Sequence, residues 1–193
     1  GVVSLATMNI RNSLFIDNTA NDGGGVSVFN GNATIRNATI ADNTANIGAG
    51  LSANGGGGQD VDVFNSIVWG NNSTQIFKNG TLDINNTIVE GGFTGDNGIP
   101  ALTNDPLFVD AGNGDYRLQA VSLAIGTGDN TNVQGSTDLD GNTRILPVSG
   151  TVDMGAYESS EPDPLCFVQV NSGPITASAD ASALVDAVSS ASS

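Results

Sequence analysis

The chain has 193 residues, of which 13% are charged and 5% aromatic, and its formal net charge at pH 7 is −15. Only five Lys and Arg residues stand against 20 acidic ones, so no basic patch can form, which excludes nucleic acid and an anionic membrane surface as partners. A single cysteine and no histidine exclude an internal disulfide, a Cys/His zinc site and an imidazole general base.

Residues 1–100 repeat one short pattern four times. The copies read IRNSLFIDN from Ile10, IRNATIADN from Ile35, VFNSIVWGN from Val63 and INNTIVEGG from Ile84. One asparagine occupies the same place in every copy, at intervals of 25, 28 and 21 residues: Asn12, Asn37, Asn65 and Asn86. A second asparagine recurs in the first three copies: Asn18, Asn43 and Asn71. Periods in the twenties with β-branched residues predict an all-β solenoid, a right-handed parallel β-helix of about four coils.

Both asparagine columns are predicted to form a structural ladder inside the solenoid. Aliphatic residues on either side of the first asparagine alternate with period two and are expected to point inward. Asparagine tolerates the left-handed backbone conformation, so it suits the corner at which a strand turns. Because coils stack about 4.8 Å apart, equivalent asparagine side chains are expected to hydrogen-bond to one another up each column. Glycine runs at 23–25, 48–50 and 55–58 are expected to close the coils.

Residues 101–159 leave the repeat and are predicted to form a capping module. Pro106 and the GNG turn at 112–114 flank two short strand-like segments, PLFVD and DYRLQ. The end of a solenoid exposes unpaired backbone and needs a cap that differs from the repeats. We therefore expect this module to cover an end of the coils.

Residues 160–193 are predicted to be a linker followed by a strand and a short helix. SSEPDP at 159–164 is polar and interrupted by proline, CFVQV at 166–170 is strand-like, and 180–191 has the spacing of an amphipathic helix. This appendage is expected to open a further solenoid or to cap another subunit. Cys166 is expected to be a buried small hydrophobic residue, with a cross-link to another chain or module as the alternative.

Five motifs follow one another in residues 105–158. They are DPLFVD at 105–110, GDYRL at 114–118, AIGTGDN at 124–130, TDLDGNTRI at 137–145 and VDMGAYE at 152–158. They resemble the end module of secreted bacterial β-helix proteins called choice-of-anchor Q domain proteins, and the coils resemble the pectate-lyase-like β-helix superfamily. Where that module usually has a segment like SPAID, this chain has Leu123 and Gly126 in SLAIG. The resemblance covers residues 5–158 and implies an extracellular or cell-surface solenoid, without implying an activity.

The motif TDLDGN is a candidate calcium site. Asp138, Asp140 and Asn142 offer oxygen ligands at alternate positions next to a glycine, which suits Ca²⁺. The full calcium-loop pattern is missing, since no Glu follows at the required spacing. A tight turn closed by Asx hydrogen bonds is the alternative for the same residues. No other cofactor is expected.

Candidates for catalysis are few. A polysaccharide lyase of this shape needs a basic residue beside an acidic calcium site; Arg11 and Arg36 are equivalent one coil apart, as are Asp17 and Asp42. Arg11 and Asp17 lie on opposite sides of an asparagine corner and are expected on different faces. No set of carboxylates converges as a hydrolase requires. We therefore expect no active site.

The sequence predicts a non-catalytic extracellular or cell-surface structural protein. Its expected partners are further copies stacked head to tail into filaments, since such contacts do not close, or neighbouring modules of the same protein. Two alternatives stay open: an enzyme that cleaves extracellular polysaccharide, and an adhesive module that binds carbohydrate. For the latter the chain offers its one tryptophan, Trp69, as an aromatic platform. No apolar run reaches the length of about 20 residues of a membrane span, so membrane insertion is not expected.

Overall fold

The computed structural model describes residues 2–4, 7–55, 58–145 and 150–159, with the backbone alone for residues 2–4. The predicted linker and appendage at 160–193, including Cys166, lie outside the described residues. The fold is nearly all β, as predicted, and its parallel strands stack as a β-solenoid of about three turns. No helix in the described ranges is long and apolar enough to cross a membrane.

Twelve strands run through the described part of the chain and form two parallel sheets and one hairpin. In chain order they are β1 (Val2–Ser4), β2 (Met8–Ile16), β3 (Val26–Val28), β4 (Ala33–Ala41), β5 (Leu51–Asn54), β6 (Asp60–Phe64), β7 (Ile67–Trp69), β8 (Ile76–Asn79), β9 (Thr81–Asn85), β10 (Ile88–Val89), β11 (Phe108–Asp110) and β12 (Asp115–Leu118). Two 3₁₀ turns, Ala111–Asn113 and Asn130–Asn132, lie in the C-terminal part.

One face of the solenoid is a sheet of four strands in the order β1–β3–β5–β8, one from each coil. Neighbouring strands are parallel, and the register pairs Val26 with Leu51 and Leu51 with Ile76. We call the end at β1 the upper end and the end at β8 the lower end. The solenoid thus has four stacked layers, which we call rungs, with one strand of this sheet in each. The chain makes about three turns from the first rung to the last, whereas the repeat predicted about four coils.

The second sheet has two halves that meet at the first asparagine column. β2 and β4 run through both halves, whereas the lower coils use separate strands, β6 and β9 in one half and β7 and β10 in the other. β4 accordingly pairs with β6 through residues 33–36 and with β7 through residues 39–41. The register aligns Ile35 with Val63, which confirms the alignment of the repeats.

Each asparagine of the first column turns the chain in the left-handed backbone conformation, as predicted. The φ angles of the four residues lie between +44° and +50°: Asn12, Asn37, Asn65 and Asn86. A second left-handed corner follows five residues later in every coil: Asp17, Asp42, Gly70 and Gly91. The sequence did not reveal this second corner, because aspartate and glycine share its positions. Together the two corners fix the direction of each asparagine column relative to the core.

The lower end of the second sheet, at β9 and β10, is covered by residues 93–102. The N–H of Asp96 donates to the carbonyl oxygen of Leu82 at 2.9 Å, and the Asp96 carboxylate accepts from the N–H of Leu82 at 2.8 Å. Leu102 forms a parallel bridge with Ile88. This short segment satisfies much of the lower strand edge before the C-terminal module begins.

The C-terminal module lies along the side of the solenoid, which corrects the prediction that residues 101–159 cap an end. It begins with the antiparallel hairpin β11–β12 and continues as mostly irregular chain to residue 159. Ala124 and Met154 of the module share a buried hydrophobic cluster with Ile67 and Ile88 of the lower coils. The prediction failed because the lower edge is already paired by residues 93–102, while the flank offers apolar area to bury.

Candidate functional site

The second asparagine column forms an internal ladder, as predicted. Asn18 donates from its backbone N–H and from its side-chain amide to Oδ1 of Asn43, both at 3.0 Å. Asn43 repeats the pattern one coil below and donates to Oδ1 of Asn71 at 2.9 and 3.0 Å. Asn43 and Asn71 are 0% and 6% exposed, so this ladder is part of the core.

The ladder ends at Gln75, a residue outside the repeat columns. Oε1 of Gln75 accepts from the side-chain amide of Asn71 at 2.6 Å, and its Nε2 donates to Oε2 of Glu90 at 2.8 Å. Oε2 of Glu90 also accepts from the N–H of Gly70 at 2.9 Å. The fourth coil has Gly92 at the next position of the column, so the glutamine replaces the missing amide.

Two of the coil-closing glycines also make room for the ladder. A Cβ atom at Gly25 would lie 2.5 Å from Cγ2 of Ile40 and 3.0 Å from the amide nitrogen of Asn43. A Cβ atom at Gly50 would lie 3.0 Å from the amide nitrogen of Asn71. At Gly50 the closest atom is the carbonyl oxygen of Gln75, at 2.6 Å, so glycine is required by the close packing of the core around the ladder and no larger side chain fits.

The first asparagine column does not form a ladder, which corrects the prediction for those four residues. Their amides donate instead to backbone carbonyl oxygens of the C-terminal module at 2.6 to 3.2 Å. From the upper rung to the lower, the pairs are Asn12 with Thr137, Asn37 with Asp153, Asn65 with Asp129 and Asn86 with Thr127. The left-handed residue interrupts the period-two alternation of the strand, so its side chain leaves the coil on the outer side, where the module lies.

The module contributes donors of its own to this flank. The N–H of Asp129 donates to Oδ1 of Asn65 at 2.7 Å, so both atoms of that side-chain amide are bound. The N–H of Gly155 donates to the carbonyl oxygen of Asn65 at 2.8 Å. The N–H of Ala156 donates to Oγ1 of Thr39 at 3.0 Å. The interface between the coils and the module is thus a row of hydrogen bonds that crosses all four rungs.

A buried charged network holds the module to the upper rung. Arg144, 1% exposed, donates to Oδ1 of Asn12 at 3.0 Å and to Oε2 of Glu158 at 3.2 Å. Its third bond goes to the carbonyl oxygen of Ala156 at 2.8 Å. Burial and the charge of Asp153 raise the pKa of Glu158 to about 8, while Arg144 opposes the shift. Sequence reasoning missed this network, although the motifs at 137–145 and 152–158 carry all of its acidic and basic side chains.

The candidate calcium ligands do not face a common cation position. Oδ1 of Asp138 accepts from the N–H groups of Asp140 and Asn142 at 2.9 and 2.7 Å. Oδ2 of Asp138 accepts from the N–H of Glu158 at 2.8 Å. The Asp140 carboxylate binds the Arg117 guanidinium through both oxygens, at 2.7 and 3.0 Å. The residues form the Asx-closed turn, and no group of three acidic, Cys or His side chains within the described ranges is placed to hold a metal ion.

The charged pairs considered for catalysis lie at separate corners of the coil. Arg11 and Arg36 are opposite each other in neighbouring coils, and the Arg36 guanidinium stacks over the Phe64 ring at 5.0 Å. Asp17 and Asp42 occupy the second left-handed corner, beyond the strand half that follows the asparagine. The two basic and the two acidic side chains are therefore not assembled around one groove.

An open cleft of about 330 Å³ lies where the hairpin β11–β12 meets the second corner of the coils. Half-buried Trp69 lines it together with Asp42, Asp105 and Gln119. The hydroxyl of Tyr116 donates to the Asp42 carboxylate at 2.6 Å, and burial together with this carboxylate raises the pKa of Tyr116. The cleft combines an aromatic ring with carboxylate and amide groups, which suits a polar ligand with apolar faces.

The chain matches no known protein family, no curated protein and no solved structure. The parallel β-solenoid is established by the register of its strands. The finer resemblance to pectate-lyase-like and choice-of-anchor Q proteins has no support from these comparisons.

Proposed function

We propose that this chain is a non-catalytic structural module of an extracellular or cell-surface protein, in which a C-terminal module braces a short solenoid along its side. The hydrogen-bond partners of the buried and half-buried polar groups carry the proposal. The asparagine columns, the Arg144–Glu158 pair and the Asp138 turn all make their hydrogen bonds within the chain. A catalytic site would instead direct such groups toward a reacting ligand.

The arrangement suits an element that bears load. Each of the four rungs is tied to the module by an asparagine amide, so peeling the module away breaks contacts at several rungs together. The acidic surface, with its formal net charge of −15, opposes unwanted pairing of exposed strand edges. Stiffness and solubility are the properties that a surface or matrix element requires.

We infer that residues 104–158 are an end module of the choice-of-anchor Q type on a pectate-lyase-like solenoid. The support comes from what the motif residues do. The N–H of Asp153 donates to Oε1 of Glu158 at 3.1 Å, and Asp138 and Arg144 bind the same glutamate through its N–H and its carboxylate. Residues from two separate motifs, at 137–145 and 152–158, thus form one buried network. Modules of this type belong to secreted proteins, which is the ground for the extracellular location.

Mechanical unfolding of single molecules tests the bracing role. Asn12→Gly removes the amide contacts at the upper rung, and glycine keeps the left-handed corner. Asn21→Gly removes a comparable amide contact, to Asn46, on the exposed surface. We expect Asn12→Gly to lower the unfolding force and Asn21→Gly to leave it unchanged. Equal forces for the wild type and both variants would contradict a bracing module.

Polysaccharide cleavage is the alternative that this proposal excludes. Incubation with pectin and with alginate, in the presence and absence of calcium, is expected to give neither unsaturated products nor new reducing ends. Product formation that is lost in both Arg11→Ala and Arg36→Ala would assign catalysis to the paired arginines and overturn the structural role.

A carbohydrate-binding role has one observation in its favour, the cleft at Trp69. Because Asp42 and Asp105 also line it, the cleft favours neutral over acidic oligosaccharides. Calorimetry with neutral and uronic-acid oligosaccharides tests this, with Trp69→Ala as the variant expected to lose binding. Phe29→Ala, at an aromatic ring that is 45% exposed elsewhere, is the matched control.

Head-to-tail filaments stay a prediction, and the contacts at the lower end oppose them. A neighbour could pair with the lower edge at β9 and β10 only after displacing Asp96 from Leu82 and Leu102 from Ile88. Stacking of the upper end of one copy on the lower end of another would therefore break existing bonds before it formed new ones.

A further inference from the structure

One half of the second sheet has an outer side of exposed and half-buried side chains. The module packs on the other half, where the N–H of Ala156 donates to Oγ1 of Thr39 at 3.0 Å and a Cβ atom at Gly155 would lie 2.9 Å from Cδ1 of Ile67. In the half that contains β6 and β9, inward residues are buried and outward residues are not. We call this outer side the charged face. Its outward side chains, from the upper rung to the lower, are Asn9, Arg11, Thr34, Arg36, Asp60, Asp62, Phe64, Thr81, Asp83 and Asn85.

The upper two rungs give the charged face two positive charges. Arg11 and Arg36 lie opposite each other in the register of β2 and β4, and the Arg36 guanidinium stacks over the Phe64 ring at 5.0 Å. The other basic residues of the chain all form ion pairs: Lys78, Arg117 and Arg144. Neither Arg11 nor Arg36 forms an ion pair with a residue in the described ranges. Their charges are therefore open to a partner.

The lower two rungs give the same face its negative charges. Asp62 and Asp83 lie opposite each other in the register of β6 and β9, and Asp60 precedes Asp62 on β6. Burial and the charges of Asp60 and Asp83 raise the pKa of Asp62, and Arg36 opposes the rise without cancelling it. In the part of the chain that the structure describes, no basic residue forms an ion pair with these carboxylates. They repel one another and are open to a positively charged partner.

This order of charges is complementary to itself. A half-turn about an axis that lies in the face and runs parallel to the strands brings a second copy against the first. The upper rung of each copy then lies opposite the lowest rung of the other, and the two middle rungs lie opposite each other. We infer that two copies of this chain pair through the charged face as a side-by-side dimer with two-fold symmetry. Two-fold dimers are the commonest assemblies, and they require a patch that fits itself.

The half-turn supplies each arginine with an acidic residue. Arg36 comes to lie opposite Phe64 of the second copy, and Asp62 of that copy is the next outward residue on the same strand. Arg11 comes to lie beside Asp83 of the second copy in the same way. Outward neighbours on a strand are about 7 Å apart, a distance that the long arginine side chain bridges. The symmetry forms both contacts twice.

A second copy fits the charged face better than a ligand of one charge does. An acidic polysaccharide would meet Asp62 and Asp83 beside the arginines, and a basic partner would meet Arg11 and Arg36 beside the carboxylates. A partner with the opposite order of charges matches both ends of the face, since like charges placed against each other suppress the wrong partners.

The size of the face predicts a weak dimer. Four rungs at about 4.8 Å and strands of five residues at about 3.3 Å give about 300 Å² per copy, against about 800 Å² in a standard interface. The formal net charge of −15 on each copy adds repulsion. Salt at about 0.15 M screens that repulsion beyond about 8 Å and leaves the contacts at shorter range. We therefore expect association as the protein concentration approaches about 1 mM.

Sedimentation equilibrium of the full chain at about 0.15 M salt tests the proposal. We expect the wild type to dimerise with rising concentration. Arg36→Asp and Asp62→Arg should each weaken dimerisation about tenfold or more, because each places like charges opposite each other. Asp105→Arg changes the net charge by the same amount as Asp62→Arg at an exposed carboxylate outside the face, and it should not weaken dimerisation.

A mixture of the two reversed variants gives the sharpest measurement. Each variant alone sets like charges against each other. A pair made of one copy of Arg36→Asp and one copy of Asp62→Arg again sets an acidic side chain against a basic one at both contacts. The mixture should therefore dimerise at least as strongly as the wild type. Rescue by mixing cannot come from a change within one chain, and circular dichroism shows that each variant is folded.

Nuclear magnetic resonance gives a measurement that needs no variant. A rise in the concentration of the wild type should shift the backbone N–H signals of Thr34 and Asp62 on the charged face and leave that of Asp105 in place. This result supports the proposal even where a reversed variant fails to fold.

The proposal is wrong if the wild type stays monomeric up to about 1 mM. Folded reversed variants that dimerise like the wild type would also overturn it, as would a mixture of them that stays monomeric. A chain that stays monomeric and binds uronic-acid oligosaccharides through Arg11 and Arg36 would assign the face to an acidic polysaccharide instead.

Discussion

Asparagine has two roles in this chain, and the backbone conformation decides between them. Asn37 has a φ of +50°, and its amide leaves the coil to bind the C-terminal module. Asn43 lies six residues later without a positive φ, and its amide stays in the core between Asn18 and Asn71. One residue type at two points of the repeat thus builds the interior and the interface.

Removal of one amide from the internal ladder is expected to destabilise the fold. Asn43→Ala removes the acceptor of two hydrogen bonds from Asn18 and the donor to the carbonyl oxygen of Phe15. Because a buried group that loses its partner costs about 1–3 kcal/mol, we expect the free energy of unfolding to fall by about 3 kcal/mol or more. Urea denaturation followed by circular dichroism measures the change.

The control for this prediction is Asn46→Ala. The Asn46 amide also bonds to the equivalent asparagine one coil away, Asn21, but on the exposed surface. Its replacement should cost no more than about 0.5 kcal/mol. Similar losses in the two variants would show that burial of the ladder contributes little to stability.

Glu158 is expected to make the stability of the fold depend on pH. Burial and Asp153 raise its pKa from the ordinary 4.5 to about 8, against the opposing effect of Arg144. The folded state therefore retains a proton that the unfolded chain releases. The resulting stabilisation is complete below the unfolded pKa and is lost as the pH rises through the folded value.

Glu158→Gln should remove this loss of stability between pH 4.5 and about 8, the two pKa values of the glutamate. Free energies of unfolding of the wild type and the variant, measured across that window, give the comparison. A wild-type slope in Glu158→Gln would mean that another buried group governs the pH dependence.

At the scale of elements, the backbone of Gly155 in the module packs closely against the half of the second sheet that contains β7. A Cβ atom there would lie 2.9 Å from Cδ1 of Ile67 and 2.9 Å from Oγ1 of Thr39, at a φ of +99°. Gly141 has a similar φ of +90° with nothing within 4 Å of a Cβ atom. A substitution at either glycine therefore strains the backbone, but only at Gly155 does the new side chain also collide with neighbouring atoms.

Gly155→Ala should destabilise the fold by about 1–3 kcal/mol more than Gly141→Ala, because overpacking forces the module off the flank. Thermal unfolding followed by Trp69 fluorescence measures both, since Trp69 packs in the hydrophobic cluster between coils and module. Equal losses would show that backbone strain alone accounts for the effect.

The elements themselves were predicted with unequal success. The strands of the coils follow from columns such as Ile35, Val63 and Ile84, since period-two alternation specifies both the inward face and the register. The interruption of the second sheet between β6 and β7 was not predicted. The segment 93–102, which covers the lower edge at β9 and β10, was not predicted either. Neither has a periodic signal, and each depends on which strand edge remains to be paired.

For the whole molecule, we expect the coils and the module to unfold in one cooperative transition. Contacts such as Asn12 with Arg144 and Asn65 with Asp129 tie every rung to the module. Circular dichroism, which reports the strands, and Trp69 fluorescence, which reports the interface, should then give coincident urea transitions. In Arg144→Leu the buried Glu158 loses its partner, and we expect the fluorescence transition to move to lower urea by more than the dichroism transition. Separate transitions in the wild type would show that the module is an independent domain.

The asparagine and aliphatic columns by themselves determined the parallel solenoid, its register and the left-handed corner at the first asparagine column, because each is a local preference repeated at a regular interval. Only the tertiary structure decided that one asparagine column binds the module, that the module lies on the flank, and that Arg144 and Glu158 are buried together. These features join residues as far apart as Asn12 and Arg144, 132 positions in the sequence. Such contacts form between a repeating and a non-repeating segment, and they depend on which surfaces and edges the folded coils leave uncovered.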